Sequence, residues 1–440
     1  MHTLPLASEF IKKLALDNSL PEPGCGSIRE ISALVDLIES GTGISFVRME
    51  MGVPGLPAPA IGVDAEISAL KNGMASLYPE ISGIPSLKEE ASRFIKLFLN
   101  VNVKPQGCIP TVGSMMGGMV TFLVANRNDR TKEGTLFIDP GFPVQKQQVK
   151  MLGHDYHSFD VYNFRGKKLK AKLESYLETG KISSLLYSNP NNPAWICLNE
   201  EELQIIGELA SEYGVIVIED LAYFGMDFRK DYSIPGKPPY QPTVAHYTDD
   251  YVLLISSSKM FSYAGQRIGM MAISDHLFSK SYPDLLRYYS SDKFGHSVIF
   301  GALYALSAGV CHSAQYGLAA LLKAVNDGKY KYRDDVKEYG EKAAVMKELF
   351  KKNNFTITYD KDLDDPVADG FYFTVSYPGM TGKELLRNLL SYGVSAITLD
   401  ITGSIREGLR ACVSMVRREQ FGDLEVRLRK FNEDHPISKS

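Results

Sequence analysis

The sequence predicts an α/β fold, with a large domain built on a mostly parallel sheet between helices and a smaller α+β domain after it. Two patterns carry this prediction. Short apolar runs bounded by turn residues alternate with longer segments of helical periodicity, and strands that alternate with helices form parallel sheets covered on both faces. From about residue 325 onward, long charged helices and short alternating strands such as DGFYFTVSYP (369–378) replace that alternation.

The predicted strands of the large domain each end in a loop of polar or turn-forming residues. Between two of them, NEEELQIIGELASEYG (199–214) is a predicted helix with Asn199 as its N-cap and Gly214 as its C-terminal stop. Parallel sheets bind ligands at the carboxyl ends of their strands, and the unusual polar clusters of this chain fall at such ends. The strand segments are GTLFIDPGFP (134–143), KISSLLYSNPNNP (181–193), YGVIVIEDLAY (213–223) and DYVLLISSSK (250–259).

Composition argues against several classes of function. The 440 residues carry a net charge of −4, which gives no electrostatic case for nucleic acid, and no Lys/Arg-rich run suits an anionic membrane. No stretch approaches the roughly 18 uninterrupted apolar residues of a membrane span. We expect a cytoplasmic protein without a metal site, whose scattered cysteines are reduced: Cys25, Cys108, Cys197, Cys311 and Cys412.

Two clusters early in the large domain have both a structural and a functional interpretation. In IPTVGSMMGGMVTF (109–122), Gly113, Ser114 and Met115 open a predicted helix. Free backbone N–H groups at a helix start can bind an anion, although the same residues can form a tight turn before a core helix. In DPGFPVQKQ (139–147), Phe142 follows a strand and can either join the core or form a platform for a ligand.

Two further clusters follow the next buried strands. YSNPNNPAW (187–195) contains two Asn-Pro steps, where the backbone must turn sharply and can adopt cis geometry; a turn alone would also explain it. VIEDLAYFG (217–225) ends an apolar run with acids and places Asp220 three residues before Tyr223. A carboxylate at the buried end of a strand needs a cationic partner or a hydrogen bond, and a helix N-cap is the alternative.

The last cluster, SSSKMFSYAGQRIG (256–269), surrounds one lysine with serines and an arginine. The serine hydroxyls and Arg267 can together bind a dianionic phosphate, with the guanidinium binding it bidentately. Lys259 would then be placed to bond covalently to a carbonyl of the same ligand. The alternative is that Lys259 is a solvated surface charge.

In order and spacing, these clusters resemble the class I/II aminotransferases, fold-type I enzymes that use pyridoxal 5′-phosphate (PLP). The resemblance runs over residues 27–416 and includes GVPGLPAP (52–59), YPEISGIPSLKEEASRF (78–94), NPNNP (189–193), EDLAY (219–223) and EGLRACVS (407–414). It implies a sheet of the seven-stranded type in the large domain, residues 61–324. It also implies an N-terminal arm and small-domain segment over residues 1–60 and a C-terminal small domain over residues 325–440.

The resemblance also implies how the cofactor ring is held. Lys259 would carry PLP as an internal aldimine and later act as the general base. Asp220 would pair with the pyridine nitrogen, and Tyr223 and Asn192 would hydrogen-bond the ring oxygen. Phe142 would stack on the ring face.

The remaining implied contacts concern the phosphate, the substrate and a second subunit. Arg410 would bind the substrate α-carboxylate, with the Gly52 backbone nearby. Tyr78 would reach the phosphate of a neighbouring subunit in a homodimer. The implied phosphate ligands are Gly113, Ser114, Met115, Ser256 and Arg267, with Ser258 as the second choice among the serines.

The expected activity is transfer of an amino group from an L-amino acid to a 2-oxo acid in ping-pong half-reactions. A PLP-dependent lyase (β-elimination, C–S cleavage or decarboxylation) would use the same residues, and a PLP-binding regulator without turnover is a third alternative. The sequence does not identify the amino donor; Arg287 or Lys293 can select an acidic side chain or be solvated. One departure from the family stands out. Ala194-Trp195 follows Asn192-Pro193 where the family has Thr-Gly, so Trp195 either packs in the core or reshapes the substrate pocket.

Overall fold

A computed structural model of the chain describes residues 3–132 and 134–437, and these residues form two compact units. The large unit comprises Leu56–Asn191 and Cys197–Val336. The small unit comprises the residues up to Gly55, the segment Asn192–Ile196, and the residues from Lys337 onward. Residues 192–196 lie inside the sequence range predicted for the large domain, and their assignment to the small unit has a packing reason given below.

The chain contains strands of two to seven residues, and the longest of them lie in the sheet of the large unit. They are β1 (Val47–Arg48), β2 (Cys108–Thr111), β3 (Gly134–Asp139), β4 (Asp155–Asp160), β5 (Ile182–Ser188), β6 (Ile216–Leu221), β7 (Tyr251–Ser256), β8 (Gly269–Ile273), β9 (Thr356–Ile357), β10 (Lys361–Asp362), β11 (Asp365–Pro366), β12 (Tyr372–Ser376), β13 (Val394–Ser395), β14 (Ile397–Thr398) and β15 (Leu409–Cys412).

The helices range from single turns to a helix of 20 residues. The α-helices are α1 (Ser8–Asp17), α2 (Ile28–Thr42), α3 (Ala60–Lys71), α4 (Pro85–Leu99), α5 (Gly113–Ala125), α6 (Pro143–Met151), α7 (Lys168–Leu177), α8 (Glu200–Tyr213), α9 (Ser257–Met260), α10 (Asp275–Ser279), α11 (Phe294–His296), α12 (Tyr304–Ser307), α13 (His312–Asn326), α14 (Arg333–Lys352), α15 (Gly382–Ser391) and α16 (Phe421–Asp434). A π-helix, Ser297–Leu303, joins α11 to α12.

Short 3-10 helices connect several of these elements. They span Met74–Ser76, Pro105–Gly107, Val161–Phe164, Val244–His246, Ala264–Gln266, Pro283–Arg287, Asp400–Thr402 and Arg418–Gln420.

The sheet of the large unit has seven strands in the order β2-β8-β7-β6-β5-β3-β4. Its neighbouring strands pair in parallel, except that β8 runs antiparallel to both β2 and β7. The central strands are buried along their whole length, as expected of strands covered on both faces. The predicted fold class, a mostly parallel sheet between helices, is confirmed.

Helix α8 shows how local sequence sets the ends of an element. Asn199 accepts a hydrogen bond from the backbone N–H of Glu202, and the Glu202 carboxylate accepts one from the backbone N–H of Asn199. Gly214 follows the helix in the left-handed conformation, which costs glycine no steric strain. Both predicted ends of this helix are confirmed.

The small unit is built on short strands. An antiparallel sheet has the order β14-β15-β12-β9, and β1 pairs in parallel with β13. Aromatic rings from α14, α16 and the segments beside β9 and β12 form part of its core, including Phe350, Phe355, Tyr377 and Phe431. Within residues 3–132 and 134–437, no helix is both long enough and apolar enough to cross a bilayer.

Candidate active site

The register of the large sheet brings three predicted site segments to one edge. Thr111 at the end of β2 is paired with Gly269 of β8, which is paired with Ser256 at the end of β7. On the next strand, Asp220 of β6 lies opposite Leu254 of β7. Because adjacent strands are about 4.8 Å apart, the ends of β2, β7 and β6 lie within one small region.

The start of α5 and Arg267 lie against each other at this edge. Gly113 has φ +65°, and a Cβ atom on it would stand 2.6 Å from Nη2 of Arg267. Nη1 of Arg267 donates a hydrogen bond to the carbonyl oxygen of Ala264 at 2.9 Å, which fixes the direction of the guanidinium. A cation beside the free N–H groups of a helix start is an arrangement that binds an anion. Ser114 and Met115 occupy the first turn of the same helix.

The three serines before Lys259 have different local roles. Ser257 donates its hydroxyl hydrogen to the carbonyl oxygen of Ile268, which holds the loop ahead of β8. Ser256 ends β7 and caps α9, because its Oγ accepts a hydrogen bond from the backbone N–H of Ser258 at 3.2 Å. Lys259 lies in α9 and is half-buried. Lys259 therefore lies one helical turn after the end of β7.

Asp220 is a buried carboxylate, with 6% of its surface exposed. Its Oδ2 accepts a hydrogen bond from Nε2 of Gln145 at 2.8 Å, and its Oδ1 accepts one from the backbone N–H of Ala222 at 3.1 Å. Burial raises the pKa of Asp220 to about 6, and the hydrogen bond from Gln145 opposes that rise. Within the described part of the chain, no cationic side chain forms an ion pair with this carboxylate.

The neighbouring residue on β6, Glu219, faces the other way, because successive side chains of a strand alternate. It is fully buried and accepts hydrogen bonds from the Thr243 hydroxyl at 2.5 Å and from the backbone N–H of Val244 at 3.2 Å. Burial raises the pKa of Glu219 to about 7, and these hydrogen bonds oppose that rise. Glu219 therefore lies on the face of the sheet opposite to Asp220.

The other predicted ring contacts in the large unit lie on loops beside Asp220. Tyr223 is buried three residues further on. Phe142 is half-buried at the residue that precedes α6, and the same helix carries Gln145. Asn191, next to the second Asn-Pro step, donates a side-chain hydrogen bond to the carbonyl oxygen of Pro140 at 2.7 Å. The bonds Asp139–Pro140, Asn189–Pro190 and Asn192–Pro193 are all cis.

In the small unit, Arg410 lies in β15 and is almost entirely buried, with 1% of its surface exposed. Its guanidinium carbon lies 4.6 Å from the centre of the Tyr372 ring, and its Nη2 donates to the carbonyl oxygen of Glu50. Nε of Arg410 has no hydrogen-bond acceptor among the described residues. The Glu50 carboxylate does not neutralise Arg410, since it is bound by Arg48 and Ser395.

Gly52 and Trp195 meet the same aromatic ring. A Cβ atom on Gly52 would stand 2.1 Å from the hydroxyl oxygen of Tyr372. Trp195 is fully buried, and its ring meets the Tyr372 ring edge-on with a centroid distance of 6.2 Å. This packing is one of the two alternatives that the sequence left open for Trp195. It also explains why residues 192–196, with Asn192 among them, belong to the small unit.

Three predicted residues lie elsewhere on the surface of the large unit. Tyr78 is 93% exposed and follows the 3-10 helix Met74–Ser76. Nζ of Lys293 donates to the Ser281 hydroxyl at 2.5 Å, and the Arg287 guanidinium lies over the Tyr288 ring, 5.3 Å from its centre. Both cations have local partners of their own.

Comparison with known proteins decides the family. The chain matches the family model for aminotransferase class I and II over residues 53–423. It belongs to the class I and II aminotransferases. The resemblance noted in the sequence is therefore confirmed.

This aminotransferase has relatives of several named specificities. The probable aspartate aminotransferase of Methanocaldococcus jannaschii is 26% identical over 339 residues, 75% of this chain and 80% of the relative. The aromatic-amino-acid aminotransferase 2 of Thermococcus litoralis is 27% identical over 258 residues, 57% of this chain and 62% of the relative. The solved alanine aminotransferase from Pyrococcus furiosus has the same fold, with a TM-score of 0.75 at 18% identity, and covers 92% of this chain and 97% of that one.

The cofactor of this aminotransferase is PLP, on which the family depends. The described residues fit such a group. An anion site formed by a helix start and Arg267 suits a phosphate, and the buried carboxylate of Asp220, without a cation of its own, suits a protonated ring nitrogen.

Sequence reasoning missed two side chains that contact predicted site residues. Gln145 donates to Asp220, and Tyr372 lies under Arg410. A polar residue just inside the helix after β3 was the available signal for Gln145. Tyr372 had no such signal, because an aromatic residue in an alternating strand is typical of core.

Proposed function

We propose that this aminotransferase moves an amino group from an L-amino acid to a 2-oxo acid in ping-pong half-reactions, with Lys259 as the lysine that binds PLP covalently. The observation that carries the proposal is the convergence at one sheet edge of Gly113, Ser256, Arg267 and Asp220, with Lys259 one helical turn beyond. That arrangement supplies three groups that PLP needs: a phosphate site, a partner for the ring nitrogen and a primary amine.

Each proposed role follows from the chemistry of the side chain. With PLP bound, the Lys259 amine would act as the general base that takes the proton from the substrate α-carbon. When bound, PLP delocalises the electron pair that this proton leaves behind. Asp220 keeps the ring nitrogen protonated, because an adjacent anion favours the cationic form.

The remaining residues bind and orient. Arg410 binds the substrate α-carboxylate, with the backbone of Gly52 as a second contact. Tyr223 and Asn192 would donate hydrogen bonds to the ring oxygen, and Phe142 would stack on the ring. The proposed phosphate ligands are Gly113, Ser114, Met115, Arg267 and Ser256. Ser258 is the second choice among the serines, because the hydroxyl of Ser257 already donates to the carbonyl oxygen of Ile268.

We also propose a cytoplasmic homodimer. Support for a second copy comes from Tyr78 and from exposed apolar side chains on α3, namely Ile61, Val63, Ile67 and Leu70. The proposed role of Tyr78 is to bind the phosphate of the partner copy. Support for the location comes from the five cysteines, all of which are free thiols. Sedimentation measures the dimer, and a fully active monomer would refute it.

The test of the function combines colour with product analysis. The purified protein should be yellow, and Lys259→Ala should abolish both turnover and the visible absorbance band of the bound cofactor. Lys170→Ala, at an exposed lysine of the same unit, is the control and should change neither. An alanine variant at position 259 that transfers amino groups at an undiminished rate would refute the assignment.

Analysis of the reaction products distinguishes an aminotransferase from a lyase. A panel of the twenty amino acids, with 2-oxoglutarate as acceptor, should identify a donor whose nitrogen appears in glutamate. Release of ammonia and pyruvate instead, with no glutamate formed, would identify the chain as a lyase. The same panel identifies the amino donor.

A further inference from the structure

We propose that Tyr372 is a positioning residue for Arg410 and that Trp195 buttresses it, so that the aromatic pair sets the α-carboxylate specificity of the enzyme. The inference rests on the proposed function of Arg410 as the carboxylate-binding residue. It goes further in assigning a role to two aromatic residues of the small unit, one of which is the departure from the family pattern after Asn192-Pro193.

The first step concerns the cost of burying Arg410. A guanidinium has five N–H donors and cannot lose its charge, so burial without partners is costly. Among the described residues Arg410 has one carbonyl acceptor, that of Glu50, and no carboxylate within ion-pair distance. The ring of Tyr372, 4.6 Å from the guanidinium carbon, supplies the other stabilising contact, a cation–π interaction.

The second step concerns geometry. The carbonyl of Glu50 fixes one nitrogen of the guanidinium, and the ring face fixes the plane against which it lies. Thr374 of β12 is paired with Arg410, and Tyr372 is paired with Cys412, so Tyr372 and Arg410 project from the same face of the sheet. Because one nitrogen and one face of the Arg410 guanidinium are fixed, its remaining N–H donors point in a fixed direction, where they can bind a carboxylate.

The third step concerns what holds Tyr372. Its hydroxyl lies against Gly52, where no side chain would fit, and its ring meets the edge of Trp195. Trp195 is held in turn by Gly370, where an added Cβ would stand 1.9 Å from the indole ring. The ring of Tyr372 therefore has contacts on the side of Gly52 and on the side of Trp195, and neither contact allows it to shift freely.

The experiment is a double-mutant cycle on the best donor from the amino-acid panel. Tyr372→Leu removes the ring and should raise KM about tenfold, the value of a desolvated cation–π contact, while kcat stays within about twofold. In an Arg410→Ala background, the same change should leave KM as it is in the single Arg410→Ala variant, because no guanidinium remains to be positioned.

Two further variants separate positioning from folding. Tyr372→Phe keeps the ring and should restore KM to within about twofold of the wild type. Phe373→Leu is the matched control, since Phe373 is the next residue of β12, equally buried, and packs against Phe350 on the other face. It should leave KM unchanged even if it lowers thermal stability.

The outcomes distinguish this inference from the proposed function. If Arg410→Ala leaves KM untouched, the proposed role of Arg410 is wrong. If Arg410→Ala raises KM but the effect of Tyr372→Leu adds to it in full, or if Phe373→Leu raises KM as much as Tyr372→Leu, the positioning role is wrong. Trp195→Phe, with a smaller edge against Tyr372, should raise KM by about threefold, and a KM equal to that of the wild type would remove Trp195 from the assignment.

Discussion

Arg267 and Arg410, the two arginines proposed to bind anions, have opposite surroundings. Arg267 is exposed, lies in a loop in the left-handed conformation, and is directed by a loop carbonyl toward the start of α5. Arg410 is buried in a strand between a carbonyl and an aromatic ring. An exposed arginine without a bound anion is solvated by water, so its free energy changes little when an anion binds. A buried arginine lacks that solvation, so binding of a carboxylate lowers its free energy more.

The difference indicates a division of tasks. The exposed arginine, with backbone N–H groups around it, suits a cofactor that binds once and stays. The buried arginine suits a substrate that must be recognised at each turnover, because a carboxylate can accept a hydrogen bond from its Nε, which has no acceptor among the described residues. Substitutions at the two sites test this division.

The largest effect should come from Asp220→Asn, which alters neither arginine. Without an anion beside it, the ring nitrogen loses its proton more easily, and kcat should fall by about a thousandfold or more. PLP should still bind, because Lys259 and the phosphate site remain. Measurement of kcat and of PLP content tests this.

Glu219→Gln is the matched control for that change. Glu219 is the adjacent residue, also a buried carboxylate, but it faces the opposite side of the sheet. Its replacement should leave kcat within a fewfold of the wild type. Near-normal kcat in Asp220→Asn would refute the assignment of Asp220.

Arg410→Ala should act on substrate binding. Loss of two charge-assisted hydrogen bonds, each worth about 1.5–3 kcal/mol, should raise KM by at least about a hundredfold, with a much smaller change in kcat. Arg410→Lys should recover only part of the loss, because a lysine cannot bind a carboxylate bidentately. Steady-state kinetics on the best donor decides, and an unchanged KM in both variants contradicts the role.

Gly113→Ala should weaken the exposed site about tenfold. The left-handed conformation costs an alanine about 1–2 kcal/mol, and its Cβ would push the Arg267 guanidinium from its place, 2.6 Å away. Titration of the apoprotein should therefore show weaker binding of PLP, with little change for pyridoxal, which lacks the phosphate. Gly265→Ala, where an added Cβ has open space, is the control in the neighbouring loop.

Equal loss for PLP and pyridoxal in Gly113→Ala would show a general disturbance of the fold. It would then provide no support for a phosphate site at this position. Unchanged affinity for both ligands would refute the site directly.

The smallest expected effect is a dependence of protein stability on pH, which comes from two buried acids. Burial raises the pKa of Glu219 to about 7 and that of Asp220 to about 6, so the folded apoprotein holds these protons more tightly than the unfolded chain. Stability should therefore fall as pH rises from about 4 to about 7.

Urea unfolding of the apoprotein at pH 5 and pH 8 measures this dependence. The midpoint should be lower at pH 8, and Glu219→Gln should reduce the difference between the two values, because an amide does not titrate. A midpoint difference that is the same in the variant would assign the dependence to other groups.

The two regions also differ in how far the sequence predicts them. In the large unit, each central strand contains a short apolar run and is followed by a turn, so the residues at the edge of the sheet could be identified from sequence. In the small unit, the surroundings of Arg410 come from three distant segments. Nothing in the sequence pairs Tyr372 with Arg410 or Trp195 with Gly370, because those contacts are formed by tertiary packing.

Gln145 is an intermediate case. Its position in the first turn of α6 follows from the sequence, but its contact with Asp220 depends on how α6 lies on the sheet. The sequence also could not assign residues 192–196 to the small unit, since five residues between two predicted elements of a large domain carry no packing signal.

The close approach of Trp195 to Gly370 limits the order in which this protein can change during evolution. Any side chain at position 370 would overlap the indole ring, so Gly370→Ala is excluded while the tryptophan remains. Replacement of Trp195 by a smaller residue leaves the glycine tolerable and opens space beside it. Substitutions at the two positions are therefore epistatic and have a direction: in a lineage that leaves this arrangement, the tryptophan must be lost before the glycine can be replaced.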